Sequence, residues 1–130
     1  MALREIGAGI RSVAEAQLKY LLDRSDLERP MYNADLFTLD GVFLGRPDAW
    51  FGRAGVAGEV DSREYHLAAK DYAGTTQRHN RMEAAGIHVL HWLPSAIKAE
   101  PQRVIADLRA AIAAGNKRPE LPIRAIPPHA

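Results

Sequence analysis

Apolar positions along the chain repeat with two different periods, and these divide it into elements. Between Ser12 and Arg24, residues Ala14, Leu18, Leu21 and Leu22 form one apolar stripe at helical spacing. Ser12 with Glu15 three residues later has the form of a capping box, so a helix is predicted over 12–24. Pro30 steers its predecessor out of the helical region and closes that segment. From Met31 the texture becomes extended. Asp40-Gly41 lies between apolar runs, which predicts a hairpin with a type I′ turn. A second hairpin follows, its turn bounded by Gly52 and Gly55. Together these predict a three-stranded antiparallel meander of Asp35–Leu39, Val42–Phe51 and Val56–Asp61.

A polar connection, Ser62 to Leu67, leads to a helix predicted from about Ala68 to Ala85, with Gly86 as its C-cap. The stripe of that helix is Ala68, Tyr72, Thr75, His79 and Met82. Ile87 to Trp92 is a short strand ended by Pro94. Glu100 to Ala114 is a last helix, with Val104, Ile105, Leu108, Ala111 and Ile112 inward and Gly115 as its stop. Residues 116–130 hold Pro119, Pro122, Pro127 and Pro128 and show no periodicity, which predicts an extended tail or an arm docked on a partner. The order α-β-β-β-α-β-α is that of an α/β (α+β) chain with a mixed sheet. One domain is expected over 1–115, followed by the Pro-rich tail over 116–130.

Composition narrows the classes. A chain of 130 residues is one domain by length, and folding would remove roughly two-thirds of its unfolded surface from water. The formal net charge of +1 gives no global basic field, so any nucleic-acid contact has to come from a local patch. With no cysteine there are neither disulfides nor thiolate metal sites. No apolar run approaches the roughly 18 residues needed to span a bilayer. MALREIGAGIRS has an early acid and no apolar core, so it does not read as a signal peptide, and a cytoplasmic protein without membrane association is expected.

The stretch RPDAWFGRAGVAGEVDSREYH carries the candidate chemistry. If Phe51 and Val56 close the second hairpin, paired positions sum to 107. Asp48 then faces Glu59, Arg46 faces Asp61, and Trp50 faces Ala57. Directly opposed side chains share a face with Cβ atoms about 5 Å apart, where like charges repel. A divalent cation turns that repulsion into ligation, and Mg²⁺ suits two carboxylates, water and a substrate phosphate. The alternative is that the acids simply face solvent, and an error of one residue in register would separate them. For Asp61, an ion pair with Arg46 is explanation enough. The opposite face, with Pro47, Ala49 and Phe51 against Val56, Gly58 and Val60, suits a core.

R-P-D, a short strand, then E-x-D followed five residues later by His resembles the PD-(D/E)XK nuclease superfamily. The likeness is to its very-short-patch-repair endonuclease branch and actinobacterial relatives. It runs from about Ser12 to Ala114 and takes in VAEAQLKYLL, the hairpins, R-H-N-R-M-x-x-x-G and IHVLHW. It implies a restriction-endonuclease-like fold, a Mg²⁺ or Mn²⁺ cofactor and hydrolysis of DNA phosphodiester bonds. Asp48 corresponds to the metal-binding aspartate and Glu59 to the acid of (D/E)XK, with the Val60 carbonyl as a further ligand. Glu15 matches the helical acid that holds metal-bound water, and His66 matches a proton-transfer histidine. Asp61 stands where the motif has lysine and joins the candidate catalytic set, while Lys70 or Lys19 could stand in for the missing amine. Relatives often carry an N-terminal DNA-binding module. A partner protein or a homodimer is a further expectation.

Arg46, Arg63, Lys70, Arg78 and Arg81 are the candidate DNA contacts, the arginines being suited to bidentate phosphate pairing. Each candidate also has a plain structural reading. Glu15 could only complete the capping box, His66 could be a loop residue, Arg78 and Arg81 could solvate a helix face, and Trp50 could pack in the core. His79 fits a satisfied core histidine. His88 and His91 fall on opposite strand faces and cannot share an ion. Two functional classes therefore stand. One is a Mg²⁺-dependent endonuclease, favoured by the opposed acids and His66. The other is a catalytically degenerate nuclease-fold module, such as a toxin–antitoxin-type effector, favoured by the near-neutral charge and the missing lysine.

Overall fold

A computed structural model describes residues 3–61 and 69–128. In chain order the elements are α1 (Leu3–Asp23), β1 (Met31–Tyr32), β2 (Asp35–Thr38), β3 (Phe43–Gly45), β4 (Ala49–Phe51), β5 (Val56–Val60), α2 (Ala69–Ala84), β6 (His88–Trp92), α3 (Pro94–Ala99), α4 (Pro101–Gly115) and β7 (Ile123–Ile126). They build a mixed α/β protein with two sheets. The larger has the order β1-β4-β5-β6, antiparallel except for the parallel β5–β6 pair. The smaller is the antiparallel sheet β3-β2-β7. No described helix is long and apolar enough to cross a membrane.

The large sheet is covered on both faces. On one side Ala14, Leu18 and Leu22 of α1 and Val104, Leu108 and Ile112 of α4 close over Phe51, Val56, Val60 and Trp92. The Trp92 indole also donates to Asp107 of α4 at 3.0 Å, fixing β6 to that helix. On the other side Met82 of α2 joins Trp50, Ala57, Ile87 and Val89, and the same cluster takes in Leu36 and Leu44 of the small sheet. One apolar cluster thus binds the two sheets together. Gly45 packs closely against it, since a Cβ there would lie 3.2 Å from the Met82 sulfur and that side chain would have to shift slightly.

Several expectations are corrected. The helix predicted from Ser12 starts at Leu3, so Ser12 is inside α1 and there is no capping box. Gly7 and Gly9 each cost a helix interior about 1 kcal/mol, yet the run from Leu3 continues through them. The strand expected over Val42–Phe51 is two strands in different sheets, because Pro47 has no N–H to donate and the chain turns there. The Asp40-Gly41 turn is a three-residue loop. Thr38 N–H bonds to the Val42 carbonyl at 2.9 Å, and Gly41 alone in it has positive φ, +91°. This is the longer hairpin form with glycine in the left-handed position. Pro94 ends β6 and also starts α3, as proline does at a first helical position.

Residues 116–128 are not a tail beyond the fold. After a turn at 116–118, the chain becomes strand β7, which pairs with β2 from Asp35↔Ile126 to Thr38↔Ile123. The Arg118 guanidinium donates to the carbonyls of Ala54 at 3.3 Å and Gly55 at 3.1 Å, and Leu121 packs on the cluster shared by the sheets. The polar connection expected over Ser62 to Leu67 lies outside the described residues.

Candidate functional site

The second hairpin has the expected register: Ala49↔Gly58, Trp50↔Ala57 and Phe51↔Val56. Gly55 closes the turn by donating to the Phe51 carbonyl at 2.9 Å, with φ of +70°. The paired register ends at Ala49↔Gly58, and Asp48 lies just before it, at a bend in the chain. In the parallel pair, Glu59 lies beside His91 and Val60 beside Trp92. Asp48, Glu59 and His91 thus stand near the ends of β4, β5 and β6, with Glu59 and His91 paired.

Asp48 is 8% exposed, and its Oδ2 accepts the Val60 N–H at 2.7 Å, which extends the ladder by a side-chain bond. The Asp48 carbonyl accepts from Asn33 N–H at 3.2 Å. Asn33 has φ of +56°, a conformation asparagine tolerates better than most residues. Both ends of Asp48 are thus fixed by backbone. Because the Val60 nitrogen is bonded to the Glu59 carbonyl carbon, the Asp48 carboxylate lies against the main chain of Glu59.

A cleft of about 210 Å³ opens where α1 crosses this end of the sheet, and its lining includes Ser12, Glu15, Lys19, Tyr32, Asn33 and Asp48. Glu15 and Asp48, 33 residues apart in sequence, meet in one cleft. With no capping box in α1, Glu15 is a mid-helix acid turned toward this site. Lys19, one turn further on, lies with its ammonium 5.4 Å from the centre of the Tyr32 ring. Tyr32 donates to Asp23 at 2.8 Å; burial, and then that hydrogen bond, push its phenol above the usual tyrosine range.

The remaining candidates separate. Glu59 is half-buried, with Oε2 3.8 Å from His91 Nδ1. Asp61 is 8% exposed and its N–H donates to the Trp92 carbonyl at 2.8 Å. The ion pair expected between Arg46 and Asp61 is replaced by one between Arg46 and Asp35, at 2.7 and 3.1 Å. That pairing holds the Asp35 carboxyl below its usual range. The chain bends at Pro47, so Arg46 belongs to the end of the small sheet and the 107 register does not reach it. Trp50 is core, 3% exposed. Arg78 and Arg81 are exposed on α2. His66 and Arg63 lie outside the described residues, as does the Lys70 side chain. His88 is exposed, while His91 faces His79, so the two strand histidines do occupy opposite faces.

Among the described residues, no group of three or more His, Asp or Glu side chains is arranged to hold a metal ion. What the cleft offers is carboxylate oxygen from Glu15 and Asp48, with Glu59 near the end of β5. Such donors fit a hard cation that keeps several waters. A second cleft, about 810 Å³ between α1, α3 and α4, is mostly apolar, and its one carboxylate, Asp26, is tied to Arg109 at 2.9 and 3.1 Å. It lacks the donors for hydrolysis. Compared with family models, with curated proteins and with solved structures, the chain matches none.

The sequence reading missed two things here. It offered Lys19 as a stand-in amine but did not bring Tyr32 to Asp48, because the β1 strand that carries Tyr32 is two residues long. It also did not bring His79 to His91, which meet on the α2 side of the sheet, where a helix and a strand with different periods come together.

Proposed function

We propose that the protein is a Mg²⁺- or Mn²⁺-dependent endonuclease of the PD-(D/E)XK type, cutting DNA phosphodiester bonds at the α1–β4–β5 end of the large sheet. The observation that carries this reading is the convergence of Glu15 and Asp48 in one cleft, with Asp48 fixed against the main chain of Glu59. Asp48 and Glu59, with the Val60 carbonyl, are the residues to hold the cation. When bound, such a cation polarises a phosphoryl oxygen and makes an attacking water more acidic.

The chain's own residues do the rest. The Val60 amide keeps Asp48 in place, so no reorganisation is needed when charge develops. Glu15 accepts a hydrogen bond from water entering the cleft and orients it. Lys19 brings the cation that the motif otherwise supplies as lysine, its place along the strand being filled by Asp61. His66 remains the proposed proton-transfer group. Arg78 and Arg81, exposed on α2, are proposed to bind flanking phosphates, together with Arg63 and Lys70. Arg46 reaches DNA only by exchanging its bond to Asp35.

The test is nicking of supercoiled plasmid with Mn²⁺. Wild type should nick, and Asp48→Asn and Glu59→Gln should each lower the rate on the order of a hundredfold, as does loss of one preorganised electrostatic contact. Activity indifferent to both substitutions sinks the assignment. A second reading, a catalytically silent module of the same fold, is favoured by Asp61 in the lysine position and by the structural bond of Asp48 to Val60. Calorimetric binding of Mn²⁺ without nicking would select it.

A further inference from the structure

Two faces of α1 are already occupied. Ala14, Leu18 and Leu22 are buried in the core, and Glu15 and Lys19 line the Asp48 cleft. A third row, Val13, Ala16, Tyr20 and Arg24, follows helical spacing and lies along the cleft of about 810 Å³ between α1, α3 and α4. Ile97 of α3 and Ile105 of α4 belong to its other wall. Val13 is 58% exposed and Tyr20 64%, so this cleft is an open trough and not an enclosed cavity. Its charge is one-sided. Asp26, its one carboxylate, is already held by Arg109 at 2.9 and 3.1 Å. Arg24 and Lys98 also line the trough, and no carboxylate among the described residues pairs with either. The Arg24 guanidinium lies instead 5.1 Å from the centre of the Tyr20 ring.

We propose that this trough seats an acidic amphipathic helix of a partner protein. A helix lying in a groove is anchored by apolar side chains at i, i+3, i+4 and i+7. From Val13 to Arg24 the α1 wall runs about 17 Å, or about three turns, which is long enough to take them. Apolar anchors cover Val13, Tyr20 and Ile105, and carboxylates beside them meet Arg24 and Lys98. The same features disfavour other occupants. A second copy docked through this face would bring two sets of unpaired cations together, with no spare acid in the lining to offset them. A phosphate backbone would leave the apolar floor uncovered. A small ligand needs a site that encloses most of its surface, which an open trough does not. An amphipathic helix enters a bilayer surface by its own apolar face, whereas this surface is a hollow shared by three helices. Neither Asp48 nor Glu59 lines the trough, so it is independent of any metal they hold.

The test is fluorescence anisotropy with two labelled peptides of about 15 residues, long enough to form a helix. Both carry leucine at i, i+3, i+4 and i+7, one with glutamates on its flanks and the other with lysines. The glutamate peptide should bind and the lysine peptide should not, and the affinity should fall as salt rises. Tyr20→Ala should weaken binding about tenfold or more, as loss of an interface anchor does. Arg24→Glu combined with Lys98→Glu should reverse the preference, so that the lysine peptide binds better. Tyr20, Arg24 and Lys98 are all exposed, so these changes leave the core intact. A glutamate peptide that does not bind, equal binding of both peptides, or a preference that the double variant does not reverse overturns the proposal. Binding of phosphatidylserine vesicles in place of the peptide makes the face a membrane contact and overturns it too. So does a dimer, seen by ultracentrifugation, that Tyr20→Ala dissociates.

Discussion

Asp48 has two roles that substitution can separate. Its Oδ2 satisfies a buried amide, and its charge is the proposed ligand. Asp48→Ala should lower the unfolding free energy by about 1–3 kcal/mol, the cost of an orphaned buried N–H. Asp48→Asn keeps an acceptor for Val60 and should lose far less, both read by urea denaturation. Tyr32 gives a pH signature. Its phenol is raised above the usual range by burial and by Asp23. Folded and unfolded chains alike carry it neutral below about pH 10. Its contribution is therefore complete below that value and is lost as pH rises toward the higher folded value. Tyr32→Phe should flatten the decline of Tm above about pH 10. At this scale the sequence was informative where one hairpin set the geometry. Asp48, Glu59 and Trp50 could be placed because two glycines and an apolar alternation define the register. Arg46 could not, because the bend at Pro47 depends on a second sheet whose third strand lies some eighty residues later in the chain.

β5, β6 and α4 were legible to within a residue or two, and α2 stops as expected just before Gly86. Of the elements that escaped, α3 is a single short helix begun by Pro94, while β1 and β7 are strands that only tertiary pairing stabilises. Two-residue β1 exists because it pairs with β4, and β7 because it pairs with β2. Pro122 and Pro127 border β7, so it read as an extended arm. Ending the chain after Glu120 should therefore lower stability by at least about 2 kcal/mol, at about 1 kcal/mol per ladder bond lost, seen as a lower urea midpoint. An arm would leave the midpoint unchanged. Gly115 is a second check on how the elements meet. A Cβ there would lie 2.1 Å from the Ala54 carbonyl oxygen, which is backbone and cannot swing aside. Gly115→Ala, favourable in a free helix, should destabilise here by about 1–3 kcal/mol, the usual cost of overpacking.

Across the whole molecule, the sequence expectation of one apolar and one acidic sheet face gave way to burial on both faces. Gly58 against Trp92 and Ala57 beneath α2 are small residues whose neighbours arrive from far along the chain, so no local period announced them. Among the described residues, Asp48, Glu59 and His91 lie toward the ends of the strands. A cation bound there should stabilise the fold by mass action, about 2.7 kcal/mol at a hundred times Kd. Mn²⁺ should thus raise the Tm of wild type and leave that of Asp48→Asn unchanged. The pairing of β2 with β7 adds a constraint on the order of assembly. Ile126 stands 91 residues beyond its partner Asp35. During synthesis, β2 therefore emerges with one edge bare long before its permanent neighbour exists. That bare edge is the place where a chaperone, or the same strand in another nascent chain, has its best opportunity to bind.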